Sequence, residues 1–141
     1  MKIENVIKKF NQEEIYLCPK CLSESRIEGI SLICNENHRY DFSKKGYIHL
    51  INNYKPTKYS EDLFKARSEV FSNSFYENVL KNIQNLIEKY AKDVVLDIGC
   101  GEGYYIKKLK TVFPEKYFYG LDNSKDAIEL AVKEDKLNPY M

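Results

Sequence analysis

The sequence has no tryptophan, only two histidines and only four cysteines among its 141 residues. It has no apolar run near the roughly 20 residues that a membrane helix needs, so no membrane association is expected. The segment from Met1 to Phe10 is charged throughout and lacks the apolar core of a secretion signal. These absences favour a cytoplasmic protein. A net charge of +1 excludes any argument from overall charge about a partner.

The few cysteines are arranged as metal ligands. Cys18, Cys21, Cys34 and His38 follow the spacing C-x2-C-x12-C-x3-H, and zinc takes four nitrogen or sulfur ligands at the corners of a tetrahedron. Four cysteines allow two disulfides by count, but a chain without an export signal is expected to keep its thiols reduced. A redox pair or a chance cluster is the alternative; a redox pair needs neither the third cysteine nor the histidine. The complete ligand set predicts structural rather than catalytic zinc.

Hydrophobic periodicity predicts helices in two places. Four apolar residues near the start recur at helical spacing and predict an amphipathic helix over residues 2–13: Ile3, Val6, Ile7 and Phe10. Ser74 and Glu77 form a Ser-x-x-Glu pattern, which predicts a capping box in front of a second amphipathic helix ending near Tyr90.

A basic and aromatic stretch follows the predicted zinc ligands. Alternating residues around a Lys-Lys-Gly turn predict a pair of strands: Tyr40, Phe42, Tyr47, His49 and Ile51. Basic residues near Tyr47, Tyr54 and Tyr59 suit RNA, whose phosphates attract cations and whose unstacked bases pack on rings: Arg39, Lys44, Lys45, Lys55 and Lys58. Solvated lysines and core tyrosines are the alternative interpretation.

The second half is organised around a glycine loop. Val94–Ile98 is a short apolar run, typical of a buried parallel strand, and it leads into Gly99, Gly101 and Gly103. A dinucleotide site would place its last glycine at Tyr104, and a phosphate-binding loop would need Lys followed by Ser or Thr; neither pattern is present. The pattern D-x-G-x-G-x-G that remains is typical of S-adenosylmethionine sites.

Two acids flank this loop. Asp97 is predicted to order the loop or to meet the ammonium group of the cofactor. Asp122 ends the next predicted strand, 19 residues beyond Gly103, where an acid that binds both ribose hydroxyls is expected. A Rossmann-like unit with another ligand is the alternative. Cys100, inside the loop, is predicted to be a small filler rather than a nucleophile.

Together these residues resemble the bacterial 23S ribosomal RNA guanine-N1 methyltransferases, which join an N-terminal zinc module to a class I methyltransferase domain. The resemblance rests on six pieces: Cys18-Pro19-Lys20-Cys21, Cys34 with His38, Tyr40-Asp41-Phe42 followed by Lys45-Gly46-Tyr47, Lys65-Ala66-Arg67, Tyr76, and Val95 through Tyr105. It implies an α/β fold, with a small zinc-binding β module before a Rossmann-like domain. It also implies that Tyr76, Gly101 and Glu102 lie at the cofactor, that an rRNA hairpin is recognised, and that the enzyme is a homodimer.

The predicted organisation has four parts: an extension over 1–14, the zinc module over 15–54, a linker and helices over 55–92, and a methyltransferase segment over 93–141. A sheet of this class has seven strands, and the 49 residues from Asp93 onward suffice for two strands and two helices. We therefore expect an N-terminal fragment, inactive alone, with its catalytic residues elsewhere. A non-enzymatic zinc and RNA-binding module, or a methyltransferase for another substrate, is the alternative.

Overall fold

The computed structural model describes residues 3–10, 16–51 and 61–134. The chain divides into two compact units, one over residues 1–55 together with 136–141, and the other over residues 56–135. In the described part of the chain, no helix is long and apolar enough to cross a membrane.

The first unit is a three-stranded antiparallel sheet with one helix. Its strands β1 (Ser25–Glu28), β2 (Ser31–Cys34) and β3 (Arg39–Asp41) lie in the order β1-β2-β3. All four residues of the central strand β2 are buried. The helix α1 (Ile3–Phe10) buries Val6 and Phe10, and the Phe10 ring lies 5.1 Å from that of Phe42. The predicted amphipathic helix is therefore present, and it packs against the sheet through its apolar face.

The strand pair predicted around the Lys-Lys-Gly turn is reduced to one bridge and a turn. Beyond β3, only an isolated bridge between Phe42 and Ile48 pairs the two segments. The Ser43 side chain accepts a hydrogen bond from the Lys45 N–H (3.2 Å), and Gly46 adopts φ +112°. The Ser43 N–H donates to the Tyr47 carbonyl (2.7 Å) and the His49 N–H to the Asp41 carbonyl (3.0 Å), so the two segments pair only around this bridge.

The second unit alternates helices and parallel strands. It contains two helices followed by a strand–helix–strand–helix sequence: α2 (Glu61–Ser72), α3 (Glu77–Tyr90), β4 (Val94–Ile98), α4 (Tyr104–Val112), β5 (Tyr117–Leu121) and α5 (Lys125–Glu134). Strands β4 and β5 are parallel, with Asp97 opposite Gly120. Helix α4 packs on β5, and α2 contacts α5. The carboxyl ends of both strands therefore meet at one edge, beside the glycine loop.

Two expectations about this unit are wrong. The apolar sequence of β4 predicts a buried strand, yet Leu96 is 51% and Ile98 is 79% exposed, because no described element covers that face of the strand. The sequence also predicts that Ser74 caps α3, yet Ser74 adopts a left-handed φ of +59°, and α3 begins after Tyr76 without a side-chain cap. Ser74 contributes only its carbonyl oxygen, which accepts the Glu77 N–H at 3.2 Å.

Candidate functional site

Two tight turns bring the four predicted zinc ligands together. In the first, the Leu22 N–H donates to the Cys18 carbonyl (2.8 Å); in the second, the Asn37 N–H donates to the Cys34 carbonyl (2.9 Å). Leu22 and Asn37 both adopt φ +59°, so each turn folds back sharply through a left-handed residue. Each turn thereby aims its pair of ligands, Cys18 with Cys21 and Cys34 with His38, at one point.

The distances between the ligand atoms fit a tetrahedral zinc ion. The four atoms all lie within 4.8 Å of one another. Zinc–ligand bonds of about 2.3 Å to sulfur and 2.0–2.1 Å to nitrogen place two sulfurs about 3.8 Å apart, and sulfur and nitrogen about 3.6 Å apart. Sγ of Cys21 and Sγ of Cys34 are 3.7 Å apart, while His38 Nδ1 lies 3.6 Å from Cys18 Sγ and 3.4 Å from Cys34 Sγ. The donor set and its spacing therefore fit zinc bound through Nδ1 of the histidine.

Hydrogen bonds to the ligand sulfurs favour their thiolate form. Burial raises the pKa of the Cys18 thiol, but hydrogen bonds from Tyr40 and from backbone N–H groups outweigh burial and lower this pKa to about 5. Tyr40 Oη lies 3.4 Å from Cys18 Sγ, and the Lys20 N–H donates to the same sulfur at 3.4 Å. The His38 N–H donates to Cys34 Sγ at 3.3 Å. Such donors stabilise thiolates, which are the form that binds zinc.

The predicted glycine loop is fastened to the end of β5. The N–H groups of Gly99 and Cys100 both donate to the Leu121 carbonyl, at 2.7 and 3.0 Å, and the Gly103 N–H donates to the Cys100 carbonyl at 3.0 Å. Gly99, Gly101 and Gly103 adopt φ values of +83°, +56° and +77°, which L side chains rarely tolerate. Since the protein itself uses these N–H groups, the loop does not form a phosphate cradle.

Asp122 completes the fastening of the loop. Its Oδ2 accepts the Gly101 N–H and its Oδ1 accepts the Ser124 N–H, both at 2.8 Å. Ser124 caps α5, accepting the Ala127 N–H at 3.3 Å. Each carboxylate oxygen keeps a further lone pair for a ligand hydroxyl. Asp122 can therefore position the loop and bind a ligand at the same time.

Two more predicted acids, Asp97 and Glu102, lie with Asp122 around Cys100, since burial and then the charges of all three acids raise the pKa of that thiol. Burial, and then the nearby charge of Asp122, raise the pKa of Asp97. Glu102 is only 3% exposed, and among the described residues no hydrogen-bond donor reaches either of its carboxylate oxygens. A buried acceptor without a donor is costly. The three acids together therefore favour a ligand rich in hydroxyl or amino donors.

An aromatic cluster borders the loop and includes Tyr76. The Phe71 ring stacks on that of Tyr104 (4.3 Å between centroids, 14° between planes) and lies 4.8 Å from the ring of Tyr76. Tyr105 packs edge-on against Phe71 at 5.9 Å. Tyr76 thus reaches the loop end of α4 through Phe71, although its place at a cofactor remains a prediction.

Arg67 of α2 also lies beside the glycine loop, a position that the sequence did not predict. Both terminal nitrogens of its guanidinium lie 3.8 Å from the point where a Cβ on Gly101 would stand. Its Cζ lies 5.8 Å from the Phe64 ring centroid and 5.5 Å from that of Phe71. The available signal was the spacing of residues 64, 67 and 71, which share one face of a helix.

Cys100 is a buried packing residue, as its position in the glycine loop predicted. Its side chain is 8% exposed, and burial raises the pKa of this thiol to about 12. A Cβ added to Gly120 would stand 2.7 Å from Cys100 Sγ, so the sulfur packs directly against the bare backbone of β5. Reactivity needs an exposed thiolate, which this residue does not offer.

We expect Cys100 to resist alkylation in the folded chain. With a pKa of about 12, the thiolate is about one part in ten thousand at pH 8. The measurement is the rate at which iodoacetamide modifies the Cys100 peptide, followed by mass spectrometry, with the denatured chain as the control. Modification at the same rate in both states would contradict the packing described.

The predicted RNA-binding residues are only partly within the described chain. Arg39, Lys44 and Lys45 are exposed, and Arg39 also donates to Ser31 Oγ at 3.2 Å. Lys55, Lys58, Tyr54 and Tyr59 lie outside the described residues. Tyr47 is 4% exposed, so it belongs to the core and offers no surface for stacking a base. Three cations on the first unit therefore remain as candidates.

Known proteins share both halves of this arrangement. Residues 16–55 match the zinc-ribbon family described as "RlmA, N-terminal", and residues 89–140 match a methyltransferase domain family. The chain is thus similar, in this order, to an RlmA-type zinc ribbon and to a methyltransferase domain. The expected α/β class and structural zinc are thereby confirmed, and S-adenosylmethionine is the cofactor that a methyltransferase domain implies.

Curated relatives extend over most of the chain. A putative 23S rRNA (guanine-N(1)-)-methyltransferase of Bacillus subtilis, YxjB, is 33% identical over 132 residues, covering 86% of this chain and 47% of the relative. The 23S rRNA (guanine(748)-N(1))-methyltransferase of Streptomyces fradiae is 27% identical over 123 residues, covering 82% and 43%. O-methyltransferase 3 of Dictyostelium discoideum is 35% identical over 92 residues, covering 55% and 21%. The chain thus spans about half the length of the two rRNA methyltransferases.

Proposed function

We propose that this chain carries the cofactor-binding and RNA-recognition parts of an S-adenosylmethionine-dependent methyltransferase that acts on N1 of a guanine in 23S rRNA. The observation that carries the proposal is the pairing, in one chain, of a tetrahedral Cys3His site with a glycine loop fastened to Asp122. The zinc ribbon separates this chain from methyltransferases in general, and the two rRNA relatives share both parts.

The loop residues suit this cofactor better than a nucleotide with phosphates. S-adenosylmethionine, when bound, supplies an activated methyl group. It also offers two ribose hydroxyls and an ammonium group, which need acceptors. We assign the hydroxyls to Asp122 and the ammonium to Asp97, with Glu102 as the third acceptor and Tyr76 at the aromatic edge. Gly99, Gly101 and Gly103 keep side chains out of the ligand's way, and a Cβ added to Gly99 would meet nothing within 4 Å.

Methyl transfer to guanine requires that N1 attack the methyl carbon while the carbon–sulfur bond breaks and the N1 proton leaves. Positioning supplies much of the acceleration for such a reaction. The residues proposed here act in binding and orientation, and none of them is assigned as the base that removes the proton. The residues that remove the proton are proposed to lie in the part of the rRNA methyltransferases that this chain does not match.

The proposed RNA partner is a hairpin of 23S rRNA, bound through the zinc unit. Arg39, Lys44 and Lys45 are its described cations, and phosphate contacts of this kind position an RNA without reading its sequence. The resemblance also implies a homodimer, which light scattering on the purified protein tests. Since bacterial ribosomal RNA is cytoplasmic, the proposed activity places the protein there.

Cofactor binding tests this proposal most directly. We expect the chain to bind S-adenosylhomocysteine in a calorimetric titration and Asp122→Asn to weaken that binding about 10- to 100-fold, since hydrogen bonds to a charged group contribute about 1.5–3 kcal/mol. Asp126→Asn is the matched control, because Asp126 is an exposed acid on the same helix that Asp122 precedes. Its affinity should remain within about twofold of the wild type.

A hairpin titration separates the proposal from its alternatives. Binding of both S-adenosylhomocysteine and a 23S rRNA hairpin supports it. Hairpin binding without any cofactor binding favours a non-enzymatic zinc module, and cofactor binding without hairpin binding favours a methyltransferase for another substrate.

A further inference from the structure

We propose that Arg67 binds the carboxylate of the methionine moiety of the cofactor, across the open face of Gly101. This inference rests on the function proposed above and names the cation that the site needs. It starts from geometry: both guanidinium Nη atoms lie 3.8 Å from the position of a Cβ on Gly101. The guanidinium group is planar and forked, and Gly101 has no side chain between it and the loop. It can therefore present two parallel N–H donors, here called the fork, to a ligand in the loop.

The fork is held in place by two rings of the same unit. Arg67 Cζ lies 5.8 Å from the Phe64 ring and 5.5 Å from the Phe71 ring, within the range of a cation–π contact. Phe64 is 3% and Phe71 is 8% exposed, so both rings are fixed by packing. Phe71 in turn stacks on Tyr104, the first residue of α4. The guanidinium is therefore oriented before any ligand binds, which lowers the entropy cost of binding.

The guanidinium keeps its hydrogen-bond donors available. Arg67 is exposed, and within the described part of the chain its contacts are with aromatic rings rather than with a carboxylate. Its charge reaches the start of α4: burial raises the pKa of Tyr105, and Arg67 partly offsets that effect. A cation in this position suits a ligand anion better than an internal ion pair.

The charges around the loop indicate where the ammonium group and the carboxylate group of the methionine moiety bind. Asp97, Glu102 and Asp122 are acids and would repel a carboxylate, whereas an ammonium group is attracted to them. Arg67 approaches at Gly101, and the positive end of α4 begins directly after Gly103. Lys107 is the rival cation, because its Cε lies 3.8 Å from the position of a Cβ on Gly103. Only Arg67 offers the planar fork that matches a carboxylate.

The test compares two ligands that differ in the methionine moiety. The full chain and its variants are titrated with S-adenosylhomocysteine, which has the carboxylate, and with 5′-methylthioadenosine, which lacks the amino acid. We expect Arg67→Gln to weaken S-adenosylhomocysteine binding about 10- to 100-fold while leaving 5′-methylthioadenosine within about twofold. Arg67→Lys should give a smaller loss for S-adenosylhomocysteine alone, because an ammonium keeps the charge without the fork.

Two lysine variants sharpen the result. Lys65→Gln removes one positive charge from the same helix and is expected to change neither affinity. An equal loss for both ligands in Arg67→Gln, no loss for either, or a larger selective loss in Lys107→Gln would overturn the assignment of Arg67. If the wild-type chain bound neither ligand, the proposed cofactor would fall, and the assignment with it.

Discussion

Removal of zinc is expected to unfold the first unit and to leave the fold of residues 61–134 intact. The metal ligands Cys18 and Cys34 are themselves part of the hydrophobic core, packed with Leu32 and Tyr40. Such a small module has too little apolar area to fold without a staple, and structural zinc contributes about 10–16 kcal/mol of apparent binding free energy. Loss of the ion therefore removes more free energy than the whole unfolding free energy expected for a module of this size.

Hydrogen exchange measures this unfolding residue by residue. After treatment with a strong chelator, amides of β1 to β3 should exchange at rates close to those of an unfolded chain, while those of α4, β5 and α5 should keep their protection. Cys34→Ala should reproduce the effect without a chelator, and Cys100→Ala is the matched control because it removes a buried thiol from the other unit. Purified protein without zinc, yet with a protected first unit, would show that the four ligands are not a structural metal site.

The zinc site could be predicted from sequence because its determinants are local. Two short turns fix each pair of ligands, so the spacing of Cys18, Cys21, Cys34 and His38 specifies the geometry nearly by itself. The link from the glycine loop to Asp122 was also predictable in outline, since parallel strands bring their carboxyl ends to one edge. Here the order of strand, loop, helix and strand carries the information.

The parts that could not be predicted depend on packing between distant segments. The apolar sequence of β4 correctly predicts a strand, but its exposure depends on which elements cover it, and that is not encoded in the strand. Ser74 has the residue type of a cap but a left-handed backbone, which local pattern cannot distinguish. Arg67 gains its importance only because Phe64 and Phe71 hold it over Gly101, some 34 residues away in the sequence.

Gly120→Ala is expected to destabilise the second unit by about 3 kcal/mol. The added Cβ would stand 2.7 Å from Cys100 Sγ, 2.9 Å from Ile106 Cδ1 and 3.1 Å from Cys100 Cβ, all closer than atoms in real proteins commonly approach. Because Cys100 and Ile106 are buried, neither side chain can move aside without displacing the loop or α4. The measurement is the free energy of unfolding of this unit in urea, followed by circular dichroism.

A double-variant cycle distinguishes this clash from a general intolerance of substitution in the loop region. Cys100→Ala removes the atom nearest to the added methyl group, so Gly120→Ala should cost about 1–2 kcal/mol less in its presence. Gly99→Ala is the matched control: at φ +83° it is strained but meets nothing within 4 Å. It should cost about 1–2 kcal/mol, with no relief from Cys100→Ala. If the two glycine variants responded alike to removal of the sulfur, close packing of Cys100 on β5 could not be the reason that residue 120 is glycine. If Cys100→Ala reduces the loss of unfolding free energy for Gly120→Ala alone, contact between the Cys100 sulfur and the backbone of β5 sets the distance of the loop from the sheet. That contact then also sets the position of Gly101 relative to Arg67.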